Sequence, residues 1–151
     1  MMIGATGASG ALVGDVRIVL IAMSYLLIKH CAADFLLQTE NQRRTKGDYG
    51  AMGGITHAAT HILLTAPVFL ILPDIGLGAV CALLAGEFVV HYHLDWAKEQ
   101  VVRRNAWTSK DTPFWWALGV DQLGHGLTYV VLLGLAYSLA TGALAEPPPA
   151  A

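Results

Sequence analysis

The chain has 151 residues, about the length of a single domain. Hydrophobic residues make up 55% and charged residues 13%, against about 25% charged in a soluble domain, and the mean hydropathy is +0.53. This excludes an ordinary soluble domain and points to a membrane protein, while a net charge of −2 with no basic block gives no reason to expect nucleic-acid binding.

Residues 1–14 are Gly/Ala-rich and lack a basic leader. The apolar run that follows leads into Lys29-His30 rather than a small-residue cleavage site, so it reads as a retained segment and not a secretion signal. The first span is predicted over about Val16 to Gln38. The second runs from about Met52 to Leu72, with Pro67 as a kink point. Pro73-Asp74-Ile75-Gly76 reads as a tight turn. The third span covers about Leu77 to Lys98, and the fourth about Pro113 to Leu139. Pro113 suits a first helical position, capped by Asp111 or Thr112. Each span meets the roughly 20 residues that a bilayer core needs. The expected fold is all-α: one membrane domain over 1–151, a bundle of four antiparallel transmembrane helices, with 1–14 and 143–151 as disordered ends.

The loops set an orientation. Loop one holds Arg43, Arg44 and Lys46, and loop three holds Arg103, Arg104 and Lys110, whereas loop two holds no Lys or Arg. The positive-inside rule places loops one and three in the cytoplasm and both termini outside. Trp96, Trp107, Trp115 and Trp116 fall near the same side, as an interfacial belt would.

Each span carries one pair of metal-type ligands four residues apart: His30/Asp34, His57/His61, His91/Asp95 and Asp121/His125. That spacing puts both side chains on one helical face, one turn apart. Ionisable groups in a membrane span are costly and mark functional sites by default. At about 1.5 Å per residue, an up-down bundle brings all four pairs to one layer near the cytoplasmic side. Five histidines and three aspartates can hold one or two divalent ions. Zinc is favoured; iron and manganese also suit imidazole and carboxylate.

Gln38 and Gln122 are expected to support the ligands. Glu87, one turn before His91, is the candidate general base, and Lys98, three residues after Asp95, a candidate catalytic group. His93 lies on nearly the opposite face from His91 and reads as an interfacial residue. Lys29 is expected to snorkel or meet Asp34. Cys31 and Cys81 read as small buried apolar side chains. Gly76, Gly78, Gly86, Gly119, Gly124 and Gly126 read as close-packing positions.

The motifs His30-Cys31-Ala32-Ala33-Asp34-Phe35-Leu36-Leu37-Gln38, His57-x3-His61, His91-x3-Asp95-x2-Lys98 and Asp121-Gln122-x2-His125 resemble those of an uncharacterised family of small bacterial integral-membrane proteins, a domain of unknown function. The likeness covers about residues 16–140. It supports the layout and implies a bacterial inner-membrane location, but no reaction. A looser likeness links the chain to membrane-bound metal-dependent hydrolases, which also place His and Asp pairs on short membrane helices.

Four functions fit these residues. The leading one is a metal-dependent hydrolase acting on a lipid-linked or phosphorylated substrate at the cytoplasmic interface. The alternatives are an iron oxidoreductase, a transporter or proton relay, and a scaffold stapled by metal. Membrane lipid is the expected partner, and a homo-oligomer is compatible with a unit of this size.

Overall fold

The computed structural model describes residues 5–142, with side chains from Asp15 onward. Five α-helices follow in order: α1 (Ala5–Phe35), α2 (Glu40–Thr45), α3 (Met52–Thr65), α4 (Leu77–Arg104) and α5 (Thr112–Thr141). A 3-10 turn over Ala66–Leu70 continues α3. It begins where Pro67 removes a backbone donor, so the predicted kink is a change of helix type. Four segments, Asp15–Phe35, Met52–Leu70, Leu77–Arg104 and Thr112–Thr141, are long and apolar enough to cross a membrane. The fold is an all-α bundle in which the long helices pack in the ring α1–α3–α4–α5, with α2 against α3.

Several details differ from the sequence reading. Residues 5–14 continue α1 as helix, in place of the expected disordered end; alanines, leucine and valine interleaved with the glycines carry the helix. Residues 1–4 and 143–151, also expected to be disordered, lie outside the described residues. Helix α4 runs past Lys98 to Arg104, since nothing in Glu99–Arg103 breaks it. Asp111 sits at the N-cap of α5, but its carboxylate accepts from the Thr108 N–H and hydroxyl, both at 2.8 Å. Those bonds hold its carboxyl below the usual carboxylate range. Loop one contains α2, opened by a capping box in which Thr39 accepts from the Gln42 N–H and Gln42 accepts from the Thr39 N–H.

Of the glycines expected to pack closely, Gly124 does so, since a Cβ there would lie 3.3 Å from Leu94 Cδ1; the tightest approach falls elsewhere. A Cβ on Gly53 would collide with Thr45 Oγ1 and lie 2.8 Å from the Asn41 carbonyl, so Gly53 lets α2 rest on α3. Gly78, Gly86, Gly119 and Gly126 have nothing within 4 Å of such an atom. Gly76 instead makes the predicted turn, with φ +77° and its N–H donated to Asp74 Oδ1 at 2.8 Å. Cys31 and Cys81 are exposed free thiols rather than buried ones, on the outward faces of α1 and α4.

The interior divides in two. One end is apolar, built from Ala22, Leu26, Val68, Leu72, Leu132, Leu133 and Ala136, with Tyr129 at its edge. The other end is filled with ionisable groups, while Ile28, Leu63, Leu127 and Val131 face outward. Buried charge inside and exposed apolar side chains outside invert the pattern of a soluble protein, and this distribution belongs with the four membrane-length helices.

Candidate metal centre

On α1, Ala22, Leu26, Lys29, His30 and Ala33 are buried. They lie three or four residues apart, so one face of α1 turns inward and carries His30 with it. The same spacing buries His57 and His61 on α3, Glu87, His91 and Asp95 on α4, and Asp121, His125 and Tyr129 on α5. All eight ligands expected from the sequence meet in this interior, in three overlapping groups: Asp34, His57, His61 and His91; His30, His91 and His125; and Asp95, Asp121 and His125. Within each group the candidate ligand atoms lie within 4.8 Å of one another. His91 and His125 are each shared by two groups, so the whole is one continuous centre.

The separations fit a shared ion better than a set of hydrogen bonds. Asp34 Oδ1 is 3.1 Å from His57 Nε2 and 3.2 Å from His61 Nε2. His30 Nε2 is 3.2 Å from Asp34 Oδ2, and His125 Nε2 is 3.5 Å from Asp121 Oδ1. Yet Asp34 Oδ1, Asp121 Oδ1 and Nε2 of His30, His61, His91 and His125 are buried without a hydrogen-bond partner. Close approach without hydrogen-bond geometry leaves these atoms open to a shared ion. Two ligands about 2.1 Å from a tetrahedral ion sit about 3.4 Å apart, and buried polar atoms left unsatisfied cost about 1–3 kcal/mol each. With neutral imidazoles, the buried carboxylates of Glu87, Asp95 and Asp121 and the largely buried one of Asp34 face two buried ammonium groups, Lys29 and Lys46. The excess of two negative charges matches a divalent cation. The residues therefore fit a metal, and their nitrogen and oxygen donors suit zinc, iron or manganese.

The surrounding groups orient the ligands. Tyr129 Oη lies 3.0 Å from His30 Nδ1, which leaves Nε2 as the ligating atom when Nδ1 carries the proton. Gln122 Nε2 donates to Asp34 Oδ2 at 2.9 Å and to Asp121 Oδ2 at 3.3 Å. Gln38 Nε2 lies 3.3 Å from His57 Nδ1. Both glutamines thus touch candidate ligands. His93 is exposed and bonds the Val89 carbonyl and Tyr49, away from the centre.

Three residues behave differently from their reading. Lys29 meets Glu87, not Asp34: Nζ to Oε1 is 3.2 Å, with a second bond to the His61 carbonyl. Glu87 also accepts from Thr65 Oγ1 at 2.8 Å. The stack on His91 holds, but one turn earlier on α4 the carboxylate meets Lys29 and Thr65 first. Lys46, read as a loop charge, is buried with Nζ 3.2 Å from Asp95 Oδ1. The α2 strap inserts it, anchored by the Gly50 N–H to Tyr92 Oη at 2.6 Å and Gln100 Nε2 to the Gly47 carbonyl at 2.6 Å. A lysine directly after a capped helix in a Gly-rich loop is the only sequence signal for it.

Two cavities adjoin the centre. One, of about 570 Å³, reaches Asp34 and Asp121 and is lined also by Gln38, Arg43, Lys46, Lys98, Phe35 and Trp115. The other, of about 350 Å³, is lined by Leu94, Ala97, Val101, Trp107, Ala117 and Val120. Lys98 and Asp121 border both. Glu87 borders neither, and lines a separate apolar cavity between α4 and α5.

No curated protein matches the chain, and no solved structure does. A family model described as "Protein of unknown function (DUF3307)" matches residues 22–146, which takes in all four ligand pairs. The chain belongs to the DUF3307 family.

Proposed function

We propose that this protein is a metal-dependent hydrolase of the bacterial inner membrane, acting on a phosphorylated or lipid-linked substrate at the cytoplasmic face. The observation that carries the reading is the cavity that reaches Asp34 and Asp121 beside buried ligand atoms with no partner of their own. The eight residues His30, Asp34, His57, His61, His91, Asp95, Asp121 and His125 would hold one or two ions, zinc by preference. When bound, such ions make a water nucleophilic near neutral pH and polarise a phosphoryl or acyl oxygen.

The chain supplies the rest. In hydrolysis the water oxygen bonds to phosphorus or acyl carbon and the ester bond breaks. One proton of the water passes to a carboxylate bordering the cavity, Asp34 or Asp121. The leaving oxygen takes a proton from the Lys98 ammonium, which lines the same cavity. Glu87, held by Lys29 and Thr65, steadies the His61 segment from behind instead of meeting the water. The antiparallel arrangement and the cytoplasmic placement of loops one and three rest on the Lys/Arg asymmetry.

The test is a panel of phosphate and acyl esters offered to zinc-loaded protein in lipid discs. The expected result is hydrolysis abolished by chelation, restored by zinc, and lowered about 100-fold in Lys98→Met with metal content unchanged. Retained iron with no hydrolysis of any ester would favour the oxidoreductase reading instead.

A further inference from the structure

We infer that the substrate is an anionic amphiphile, with its headgroup in the cavity beside Asp34 and its chain in the apolar cavity beyond Lys98. This rests on the metal reading above and narrows its substrate to one class.

The two cavities differ in chemistry and share a wall. The first presents Arg43, Lys46, Lys98 and Gln38. Each cation already has an acidic neighbour: Glu40 for Arg43, Asp95 for Lys46 and Glu99 for Lys98. An ammonium has three donors and a guanidinium five, so each retains N–H groups for an anion. Lys98 Nζ donates to Glu99 Oε1 at 2.6 Å, which leaves two. Glu99 also lines this chamber. A dication held by Asp34 and Asp121 would offset their two charges, so the spare N–H groups of Arg43, Lys46 and Lys98 are left to a phosphate-type head.

The second cavity is apolar apart from Lys98 and Asp121. Its walls are Leu94, Ala97, Val101, Trp107 and Val120. Val120 is 70% exposed on the outer face of α5, where a chain would enter from the side. A water-soluble phosphate ester has no use for this chamber, whereas one acyl or prenyl chain does. For an amphiphile arriving from water, burial of apolar area there contributes about 25 cal/mol per Å². Both cavities lie within or near the roughly 300–1,000 Å³ range of ligand sites, and the bordering pair Lys98 and Asp121 would sit where head meets chain.

The test uses non-hydrolysable probes on the full chain in phosphatidylcholine discs, with empty discs subtracted. Octylphosphonate has head and chain, methylphosphonate the head alone, and octyl glucoside the chain with a neutral head. Calorimetry on zinc-loaded protein is expected to show octylphosphonate at least tenfold tighter than methylphosphonate, with octyl glucoside not competing. Val120→Trp fills the chain cavity from an exposed position; it should abolish the tenfold preference and leave methylphosphonate binding within twofold. Lys98→Met should weaken both phosphonates at least fivefold. Equal affinity for the two phosphonates, or an unchanged preference in Val120→Trp, would overturn the proposal in favour of a soluble phosphate ester. Competition by octyl glucoside would overturn the anionic head. Metal content is read on every sample, and the chain preference should persist after chelation. A chain that binds octylphosphonate selectively but no metal would therefore sink the hydrolase reading separately.

Discussion

The eight candidate ligand residues were legible because of a mismatch between residue and context. A His or Asp in an apolar span has a high desolvation cost, and i, i+4 spacing states which face it occupies. His57 and His61, both nearly fully buried, follow from that rule alone. Lys29 and Glu87 followed it only halfway. Each lies on the expected inward face, but their mutual contact joins α1 to α4 across 58 residues, and no local spacing encodes such a pairing. Tyr129 and Thr65 gave no signal, because aromatic and hydroxyl residues are ordinary in apolar helices. The Lys29–Glu87 pair has a testable consequence. Glu87→Gln leaves a buried ammonium without its counter-charge, and should lower stability by about 3 kcal/mol. The double variant Glu87→Gln with Lys29→Met should recover most of that loss, since both charges are then gone. Thermal unfolding in detergent reads both, and metal content should hold in each. A double variant as unstable as the single one would mean that the pair is not the source of the effect.

At the scale of elements, the four apolar helices and the turn at Pro73–Gly76 could be read from hydropathy and turn chemistry. Their ends were less legible. Helix α4 continues beyond the apolar stretch on charged residues that form helix well, a propensity that hydropathy does not measure. Helix α2 has a sequence signature in Thr39-Glu40-Asn41-Gln42, but only six residues to follow it. Its packing depends on Gly53, which belongs to another helix. The strap it forms brings Lys46 to Asp95, so loop one is part of the centre as well as a carrier of charge. The orientation of the helices follows from the loops. Because Cys31 and Cys81 are exposed, the labelling experiment starts from a variant without them. Asn41→Cys and Ser109→Cys, both at exposed positions, should react with an impermeant maleimide only from the cytoplasmic side. Pro73→Cys should react only from the opposite side. The reverse pattern would invert the proposed topology.

For the molecule as a whole, the distribution of polarity states the design. Isoleucine, leucine and valine cover the outside, and one end of the interior holds carboxylates and imidazoles in excess of their protein partners. Sequence indicated the layer because all four pairs fall at matching positions along their helices. It did not indicate the two cavities, which both border Lys98 and Asp121, one walled mainly by α4 and α5 and the other also by α1 and α2. An interior of this kind is costly without a cation: the partnerless nitrogens and oxygens each lack a hydrogen bond, and with neutral imidazoles two negative charges remain uncompensated. The central claim is thus that the layer binds metal. Its most direct test is elemental analysis of the protein purified in detergent and re-equilibrated with zinc, iron and manganese, beside His57→Ala and Asp121→Ala. The account predicts one or two equivalents of transition metal per chain, with a clear loss in both variants and a fall in their thermal stability. Wild-type protein that retains no metal, with neither variant differing from it in metal content or stability, would contradict the account.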